Sequence, residues 1–528
     1  GLGVRLVPLH PQDIGEPSLG QPVAAAEGLG HLPAPGGEAD LPVPGNLHQP
    51  VFVEPDKLIK SHDIIGWYHF NENSVGFDLT NKLQGLDDYF QNDPLRQRIF
   101  GAVVTGRQTR RIDDKTLQTD AASTNLLSVY VLTEHPSNPD VWLKNIQELI
   151  RKSPPLEQQE KMHEKWWADF WESSWIFATE SEKSAGPEES DAFIVSRAYA
   201  LQRFLDAAAG RGRYPIKFNG SIFTVPAADI PGYADYRRWG PGYWWQNTRL
   251  PYLSMFAAGD MALLQPFFTM YADTIFKTSL FRTQKYFGID GAYFPECMYF
   301  WGAVFTATYG WTPFLQRDDK LQESGWHKWE WVAGPELVFM MLDYYDYFLD
   351  RDFLVDKTIP IANAVMRFFN EFYKTNDEGQ LVMQPSMACE TWWNCVNPMP
   401  ELAGLHAISK RLLSLSADIT TEKDREFWAS FQSKLPPLPL RHTPSGEALA
   451  PAAHFADKRN VENPELYAVF PFRHIAIGNN HLEWGLNALE HRWDRGDFGW
   501  RQDDIFMAYL GLTEQVKQNV VNRANSFH

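Results

Sequence analysis

The sequence predicts a mainly helical protein in which a toroid of helical hairpins follows part of a β-sandwich. Two observations carry this prediction. Apolar residues alternate with the short period of strands between about residues 51 and 136, and beyond about residue 160 they recur with the period of helices. The helical segments are joined by long loops that contain aromatic residues, Gly and Pro, as expected for hairpins arranged in a ring. No GxGxxG motif and no alternation of strands with helices occurs, so a Rossmann domain is not expected.

Composition and the positions of turn-forming residues divide the chain into four predicted segments. The first is rich in Gly and Pro and contains no Phe, Trp or Tyr, so it buries too little apolar surface to offset its ordering entropy. Ser153-Pro154-Pro155 marks the boundary before the helical domain. The segments are a disordered leader at 1–50, the C-terminal part of a β-sandwich at 51–138, a polar linker helix at 139–160 and the toroid at 161–528.

Periodicity also predicts the individual elements. Within the sandwich, strands are expected at 64–71, 98–104 and 126–133, where Leu127, Val129 and Val131 share one face. Apolar stripes at i, i+3, i+4 and i+7 mark the helices. Helices are expected at 163–171, at 261–275 after Asp260 as N-cap, at 337–348, at 361–372, at 400–417 and at 422–434.

Charge and composition exclude several classes of partner. The net charge of −18 and the pI near 5.3 leave no basic surplus for nucleic acid or an anionic membrane. No apolar run is long enough to span a bilayer. Three cysteines without CxxC spacing predict neither a disulfide framework nor a zinc site, and no cofactor or metal motif is found. The 20 Trp residues are instead typical of proteins that bind carbohydrate.

The stretch from Tyr199 to Asp260 has the composition of a sugar site. Indole faces stack on the C–H faces of pyranose rings, while amide and guanidinium groups bind adjacent hydroxyls. The alternative is an aromatic-rich loop that packs under neighbouring helices. The candidate sugar-binding residues are Lys217, Asn219, Trp244, Trp245, Gln246, Asn247 and Arg249.

Two loop carboxylates among aromatic residues are candidates for acid catalysis. Glycoside hydrolysis needs one carboxylic acid that protonates the leaving oxygen and a second group that activates water or attacks directly. Glu390 precedes Trp392 and Trp393, whose bulk would desolvate it and raise its pKa, and Glu296 has a similar setting. The alternative for Glu390 is a helix N-terminal charge. Glu330 and Glu336 are expected to be capping or surface groups, Asp503 and Asp504 to be N-terminal charges of the last helix, and His163 and His474 to be structural.

Four longer runs resemble a known family. They are AYALQRFLDAAAGRGRYPIKFNGSIFT, YRRWGPGYWWQNTRLPY, GAYFPECMYFWG and ETWWNCVNPMPELAGL. These runs resemble bacterial proteins of domain-of-unknown-function family 5703, which are similar to the six-hairpin glycosidases of glycoside hydrolase family 95, the inverting α-L-fucosidases and α-L-galactosidases. The resemblance covers roughly residues 63–528 and implies a β-sandwich followed by an (α/α)6 toroid, with secretion or a periplasmic location.

The resemblance also implies roles for particular residues. The family's general acid is a Glu after a Pro-Ser step, which matches Glu390 after Pro385-Ser386. Of two family Asn residues, only one is matched, by Asn247, while Trp245 occupies the other position, and a later His is replaced by Glu465. These departures count against fucosidase specificity. The family's general-base Asp lies C-terminal to this chain, so we expect a truncated toroid.

The resulting hypothesis is an inverting glycoside hydrolase that removes an α-linked terminal sugar by general acid/base catalysis. Glu390 is its acid, Glu296 a polar contact, and Trp392 and Trp393 stacking surfaces. A polysaccharide lyase on a helical toroid remains open, although it would favour a more basic funnel. A non-catalytic glycan-binding protein also remains open. The sugar, the linkage and the oligomeric state are not predicted.

Overall fold

The structure of this chain, a computed structural model, describes residues 3–5, 55–60, 64–74, 76–90, 92–180, 190–218, 222, 241–496 and 501–526. The chain forms two units. One consists mainly of Gly1–Asp169, and the other mainly of Phe170–Thr224, Arg237–Gly310 and Gln316–His528. The predicted disorder of residues 1–50 lies outside the described residues except at Gly3–Arg5, which form a short strand rather than a disordered segment.

The N-terminal unit contains two antiparallel sheets. The strands predicted from alternation are confirmed as Ile65–Phe70, Ile99–Gly106 and Leu127–Glu134, which follow Lys57–Leu58 in a four-stranded sheet in that order. The second sheet has the order Gly3–Arg5, Thr116–Thr119 and Thr109–Arg111. A short helix, Phe77–Leu83, follows the second strand of the larger sheet.

The segment predicted as a polar linker helix contains a helix, and one face of this helix packs in the core of the N-terminal unit. The helix Pro139–Lys152 begins after the N-cap Asn138, whose side chain accepts a hydrogen bond from the Val141 amide at 3.0 Å. Its Trp142 and Ile146 are fully buried in one cluster with residues of the four-stranded sheet. The Trp142 indole donates to the Leu132 carbonyl at 3.0 Å. A second helix, Leu156–Glu172, continues across the predicted boundary at residue 160.

One face of the strand Leu127–Glu134 is exposed. Val129 and Val131 are 63% and 68% exposed, whereas Tyr130 and Leu132 on the opposite face pack against the buried cluster. Alternation therefore identified the two faces, but the more apolar pair lies outward because the helix Pro139–Lys152 covers the other face.

The larger unit is predominantly helical, and the predicted helices are confirmed. The helix Met261–Phe268 continues through a π-helical stretch, Thr269–Ile275, into the helix Phe276–Phe287. The remaining helices are Asp191–Ala209, Trp245–Thr248, Leu250–Ala258, Thr306–Tyr309, Ala333–Phe348, Arg351–Phe353 with the π-helical Leu354–Thr358, Ile359–Phe372, Met399–Ser414, Glu422–Ser433, Leu482–Glu490, Asp503–Tyr509 and Thr513–Ser526. No helix in the described ranges is both long and apolar enough to cross a membrane.

Short paired strands lie within the connections between these helices. The hairpin Ser386–Ala388 and Trp392–Pro398 is extended by Ala452–His454 and Asp457–Lys458, which pair with its second strand. The other pairs are Tyr243–Trp244 with Cys297–Met298, Lys374–Thr375 with Leu381–Val382, and Leu440–Thr443 with Gly446–Leu449.

Asp260 does not have its predicted role, whereas Asp503 and Asp504 lie, as predicted, in the first turn of a helix and also form ion pairs. Asp260 precedes the helix Met261–Phe268 but makes no capping bond, because the buried guanidinium of Arg203 takes both of its oxygens at 2.7 and 3.3 Å. Asp503 is buried in an ion pair with Arg492 at 2.6 Å. Asp504 pairs with Arg523, on the helix Thr513–Ser526, so these two aspartates tie elements together.

Candidate functional site

Glu390 lies at the tip of the hairpin whose strands are Ser386–Ala388 and Trp392–Pro398. Ala388 faces Trp392 across the ladder, and Cys389 adopts a left-handed φ of 47°, which closes the tip tightly. The Glu390 carbonyl accepts a hydrogen bond from the Trp393 indole at 3.1 Å. The local sequence therefore builds a rigid turn that presents one carboxyl group.

The Glu390 side chain is only 23% exposed and lies among other acidic groups. Burial is the main cause that raises its pKa, and the carboxyls of Glu462, Glu330 and Glu296 raise it further, while His327 lowers it. The carboxyl therefore keeps its proton near neutral pH while part of it remains accessible. A group with these two properties can act as a general acid.

A chain of polar contacts runs inward from Glu390. His327 places Nε2 at 3.3 Å from Glu390 Oε2 and Nδ1 at 2.9 Å from Glu330 Oε2. Glu330 Oε1 accepts a hydrogen bond from the Gln246 side-chain amide at 2.6 Å. The Gln246 backbone amide donates to Glu296 Oε1 at 2.7 Å. Five side chains from four distant segments thus form one connected network.

Glu296 caps the helical turn Trp245–Thr248. Its carbonyl accepts from the Trp245 amide at 2.9 Å, and its carboxyl accepts from the Gln246 amide. These bonds satisfy N–H groups that the start of a helix leaves free. Burial raises the pKa of Glu296 to about 8. The turn Trp245–Thr248 is therefore supported by a residue fifty positions away in the sequence.

Glu330 and Glu336, expected at the surface, are both fully buried. Burial raises the pKa of Glu330 to about 8. Glu336 instead receives hydrogen bonds from the Trp245 indole, at 2.8 Å, and from the Arg249 guanidinium. Glu336 does lie in the first turn of a helix, as one of the two expectations had it, but neither residue is at the surface, because Trp245, Gln246 and Arg249 bind them from more than eighty residues away.

A loop from a later segment is tied to the hairpin tip. Thr391 donates to Glu462 Oε2 at 3.0 Å and accepts from the Glu462 amide at 3.1 Å. The Arg459 amide donates to the Thr391 carbonyl at 2.7 Å. Burial raises the pKa of Glu462. The tip that carries Glu390 is therefore held from two sides.

The structure separates the expected sugar-binding residues into supporting and accessible groups. Trp245 and Arg249 are fully buried, and Glu296 and Gln246 are nearly so. Trp245, Arg249 and Gln246 bind protein partners through their polar groups, and Glu296 Oε1 accepts from the Gln246 amide, so these residues support the site from within the protein. Trp392 is also buried, 5.0 Å from the Phe455 ring and 4.9 Å from the Trp493 ring.

The remaining candidates keep accessible surface. Trp393 is half-buried, at a centroid distance of 5.2 Å from Trp326. Trp244 and Asn247 are also half-buried. Burial lowers the pKa of Lys217 to about 8, and its amine donates to the Gly242 carbonyl. Asn219 lies outside the described residues.

Sequence reasoning missed His327, Glu401 and Glu462. Glu401 Oε1 accepts from the Trp331 amide at 3.0 Å, and burial raises its pKa well above the usual range. The one local signal was the three-residue spacing of His327 and Glu330 in an aromatic loop. His474, expected to be structural, is indeed held by the Ala403 carbonyl at 2.8 Å, and all three cysteines are buried.

Comparisons with known proteins identify the family of this chain. Residues 43–176 match the N-terminal part of a domain of unknown function, DUF5703. A solved structure described as a putative kojibiose phosphorylase from human microbiome is similar, with a TM-score of 0.51 and 12% identity over 89% of this chain. The chain spans 64% of the length of that structure. Among curated proteins no match is found. Residues 238–524 match the glycosyl hydrolase family 95 catalytic domain, and the chain therefore belongs to this family.

Proposed function

We propose that this chain is part of an inverting glycoside hydrolase that removes an α-linked terminal sugar from a glycan, with Glu390 as general acid. We also propose that its helices form an (α/α)6 toroid and its sheets part of a β-sandwich. The observation that carries the functional proposal is one partly accessible carboxyl, held at a rigid turn and kept protonated by burial, inside a family 95 catalytic domain.

In the proposed reaction, Glu390 acts as a proton donor. Its O–H donates the proton to the glycosidic oxygen while the bond from that oxygen to the anomeric carbon breaks, and the electron pair stays on the leaving oxygen. Water attacks the anomeric carbon from the opposite face, which inverts its configuration, and the proton that the water loses passes to a second carboxylate acting as general base. Trp393, Trp244, Asn247, Lys217 and Asn219 are proposed to line the sugar subsite.

Water is proposed as the acceptor in preference to phosphate, the acceptor suggested by the name of the structural neighbour. The titratable groups closest to Glu390 include Glu462, Glu330 and Glu296. The nearby Arg249 guanidinium is fully buried and already bound to Glu336. The Arg249 guanidinium is therefore not free to pair with a phosphate dianion, and this favours water as the proposed acceptor.

The proposal is tested by sugar release from a panel of α-linked glycosides, with and without inorganic phosphate. We expect wild-type protein to release free sugar independently of phosphate, and Glu390→Gln to lower kcat by at least about 10²-fold while sugar binding persists. Glu378→Gln, at an exposed turn, is the matched control. NMR of the first product would show the inverted anomer.

Three outcomes would overturn the proposal. Turnover that requires phosphate and yields a sugar phosphate would establish phosphorolysis. An unsaturated product that absorbs in the ultraviolet would indicate a lyase. Saturable binding of glycans without release from any of them, or a Glu390→Gln variant as active as wild type, would remove the assignment of Glu390 as acid.

A further inference from the structure

We propose that His327 is a positioning residue for Glu390, and that a protonated Glu330 fixes the tautomer of its ring. This inference rests on the proposed function of Glu390. In it, His327 Nε2–H is the donor to Glu390 Oε2, from which Nε2 lies 3.3 Å away, and the acidic proton of Glu390 lies on Oε1, the oxygen that we assign to the glycosidic bond.

The side-chain amide of Gln246 decides which atom donates and which accepts in each contact. Its side-chain N–H only donates, so Glu330 Oε1, at 2.6 Å, must accept. If Glu330 carries its proton on Oε2, that O–H donates to His327 Nδ1 at 2.9 Å. A neutral imidazole whose Nδ1 accepts carries its proton on Nε2. The Nε2–H group then lies 3.3 Å from Glu390 Oε2, a separation that can tighten when substrate binds.

The charge balance of the buried network favours this arrangement. Four groups face Glu390, namely the carboxyls of Glu296, Glu330 and Glu462 and the ring of His327. The Cys297 thiol, with a pKa raised by burial, is also close. Burial raises the pKa of Glu330 to about 8. With Glu330, Glu390 and His327 all neutral, each contact that joins Gln246, Glu330, His327 and Glu390 has one donor and one acceptor.

The backbone holds His327 in a costly conformation. Its φ of 59° lies in the left-handed region, which costs a non-glycine residue on the order of 1 kcal/mol. The loop on its N-terminal side is fixed by Gln322, whose amide donates to the Trp326 carbonyl. The His327 side chain is only 7% exposed. The ring is thus held in one place, as a positioning role requires.

The consequence for catalysis is stabilisation of the charge that develops on Glu390. When Glu390 gives its Oε1 proton to the glycosidic oxygen, the new carboxylate is left with one donor, His327 Nε2–H, on Oε2. A hydrogen bond donated to the charged form of a carboxyl favours that form, so this donor stabilises the ionised Glu390. No proton needs to leave His327 in this step.

The experiment compares three variants of the full chain on the glycoside that wild type cleaves. We expect His327→Ala to lower kcat by about 10²-fold with little change in KM, and to move the alkaline limb of kcat/KM to higher pH. Glu330→Gln reproduces the donor and acceptor pattern of a protonated Glu, so we expect it to retain most activity. Glu330→Ala should lose activity as His327→Ala does.

A control and a second readout keep the inference separate from the proposed function. His406→Asn is the matched control, because the His406 ring binds the Pro436 carbonyl at 2.8 Å away from this network. Nitrogen NMR of histidine-labelled protein reports the tautomer of His327 without any substrate, with His327→Ala identifying its signal. We expect the Nε2–H tautomer in wild type and in Glu330→Gln.

Two results would overturn the inference. An Nδ1–H tautomer or an imidazolium at neutral pH would contradict the assigned pattern, and so would a Glu330→Gln variant as inactive as Glu330→Ala. If wild type is active and Glu390→Gln is not, but the alkaline limb is the same with and without His327, then the inference alone fails. If no variant, including Glu390→Gln, differs from wild type, then the proposed function fails.

Discussion

Arg249 and Glu336 form an ion pair in which both side chains are completely buried. The guanidinium donates to one carboxylate oxygen, and the indole of Trp245 donates to the other at 2.8 Å. Arg249 also donates to the Gln246 carbonyl and, at 3.2 Å, to the Tyr467 hydroxyl. This pair joins the helical turn Trp245–Thr248 to the helix Ala333–Phe348, beneath the network that leads to Glu390.

We therefore expect Glu336→Gln to destabilise the fold by about 3–5 kcal/mol, because it leaves a buried guanidinium without its charge partner. Urea unfolding followed by fluorescence measures this loss. The matched control is Arg351→Ala, whose pair with Asp418 is 55% and 61% exposed and should contribute about 1 kcal/mol or less. Equal losses for the two variants would contradict a stabilising role of the buried pair.

Glu465 should make stability depend on pH. Burial raises its pKa to about 8, whereas a Glu in an unfolded chain titrates near about 4.3, so the folded state binds this proton more tightly. Its contribution is fully present below the unfolded pKa and is lost as pH rises from about 5 to about 8. Neither Glu465 oxygen has a hydrogen-bond partner among the described residues.

Glu465→Gln is therefore expected to raise the free energy of unfolding by about 1–3 kcal/mol at pH 8 and to change it little at pH 5. Chemical denaturation at the two pH values checks this difference. Glu447→Gln on an exposed hairpin is the control, since an exposed carboxyl has no burial penalty to lose. A gain of equal size at both pH values would show that the effect does not arise from ionisation.

Gly404 sits where two helices approach closely. A Cβ atom at this position would lie 2.7 Å from Pro335 Cβ and 2.8 Å from Phe472 Cζ. Gly404→Ala should destabilise the fold by about 1–3 kcal/mol, because a packed interface must move apart to accept a methyl group. Thermal unfolding tests this, with Gly212→Ala as control, since nothing lies within 4 Å of its added Cβ.

Two adjacent tryptophans should respond differently to substitution. Trp392 packs in a buried cluster, so Trp392→Ala should cost about 3–5 kcal/mol of stability. Trp393 is half-buried beside Trp326, with the Arg459 guanidinium 5.4 Å from its ring, so Trp393→Ala should mainly weaken sugar binding. Unfolding curves and KM for the cleaved glycoside separate the two effects. A Trp393→Ala variant with unchanged KM would remove this residue from the proposed subsite.

Periodicity and local chemistry sufficed for much of the fold. The strands near residues 65, 99 and 127 and the helices Ala333–Phe348 and Met399–Ser414 follow from where apolar residues recur, which is a local property. Glu390 could be named as a candidate acid from the Pro and Trp residues near it in sequence, and the structure does bury most of its side chain, while its role as acid stays a prediction. Where local pattern and local packing coincide, the sequence by itself determines the outcome.

The tertiary structure alone decided which polar residues work together. Glu330 looked like a surface group, yet its partners Gln246 and His327 make it part of a buried chain that ends at Glu390. Asp260 directly precedes a helix, as an N-cap would, but both of its carboxylate oxygens accept hydrogen bonds from Arg203. The free energy of a buried polar group depends on donors and acceptors that can lie ninety residues away, and no local pattern records them.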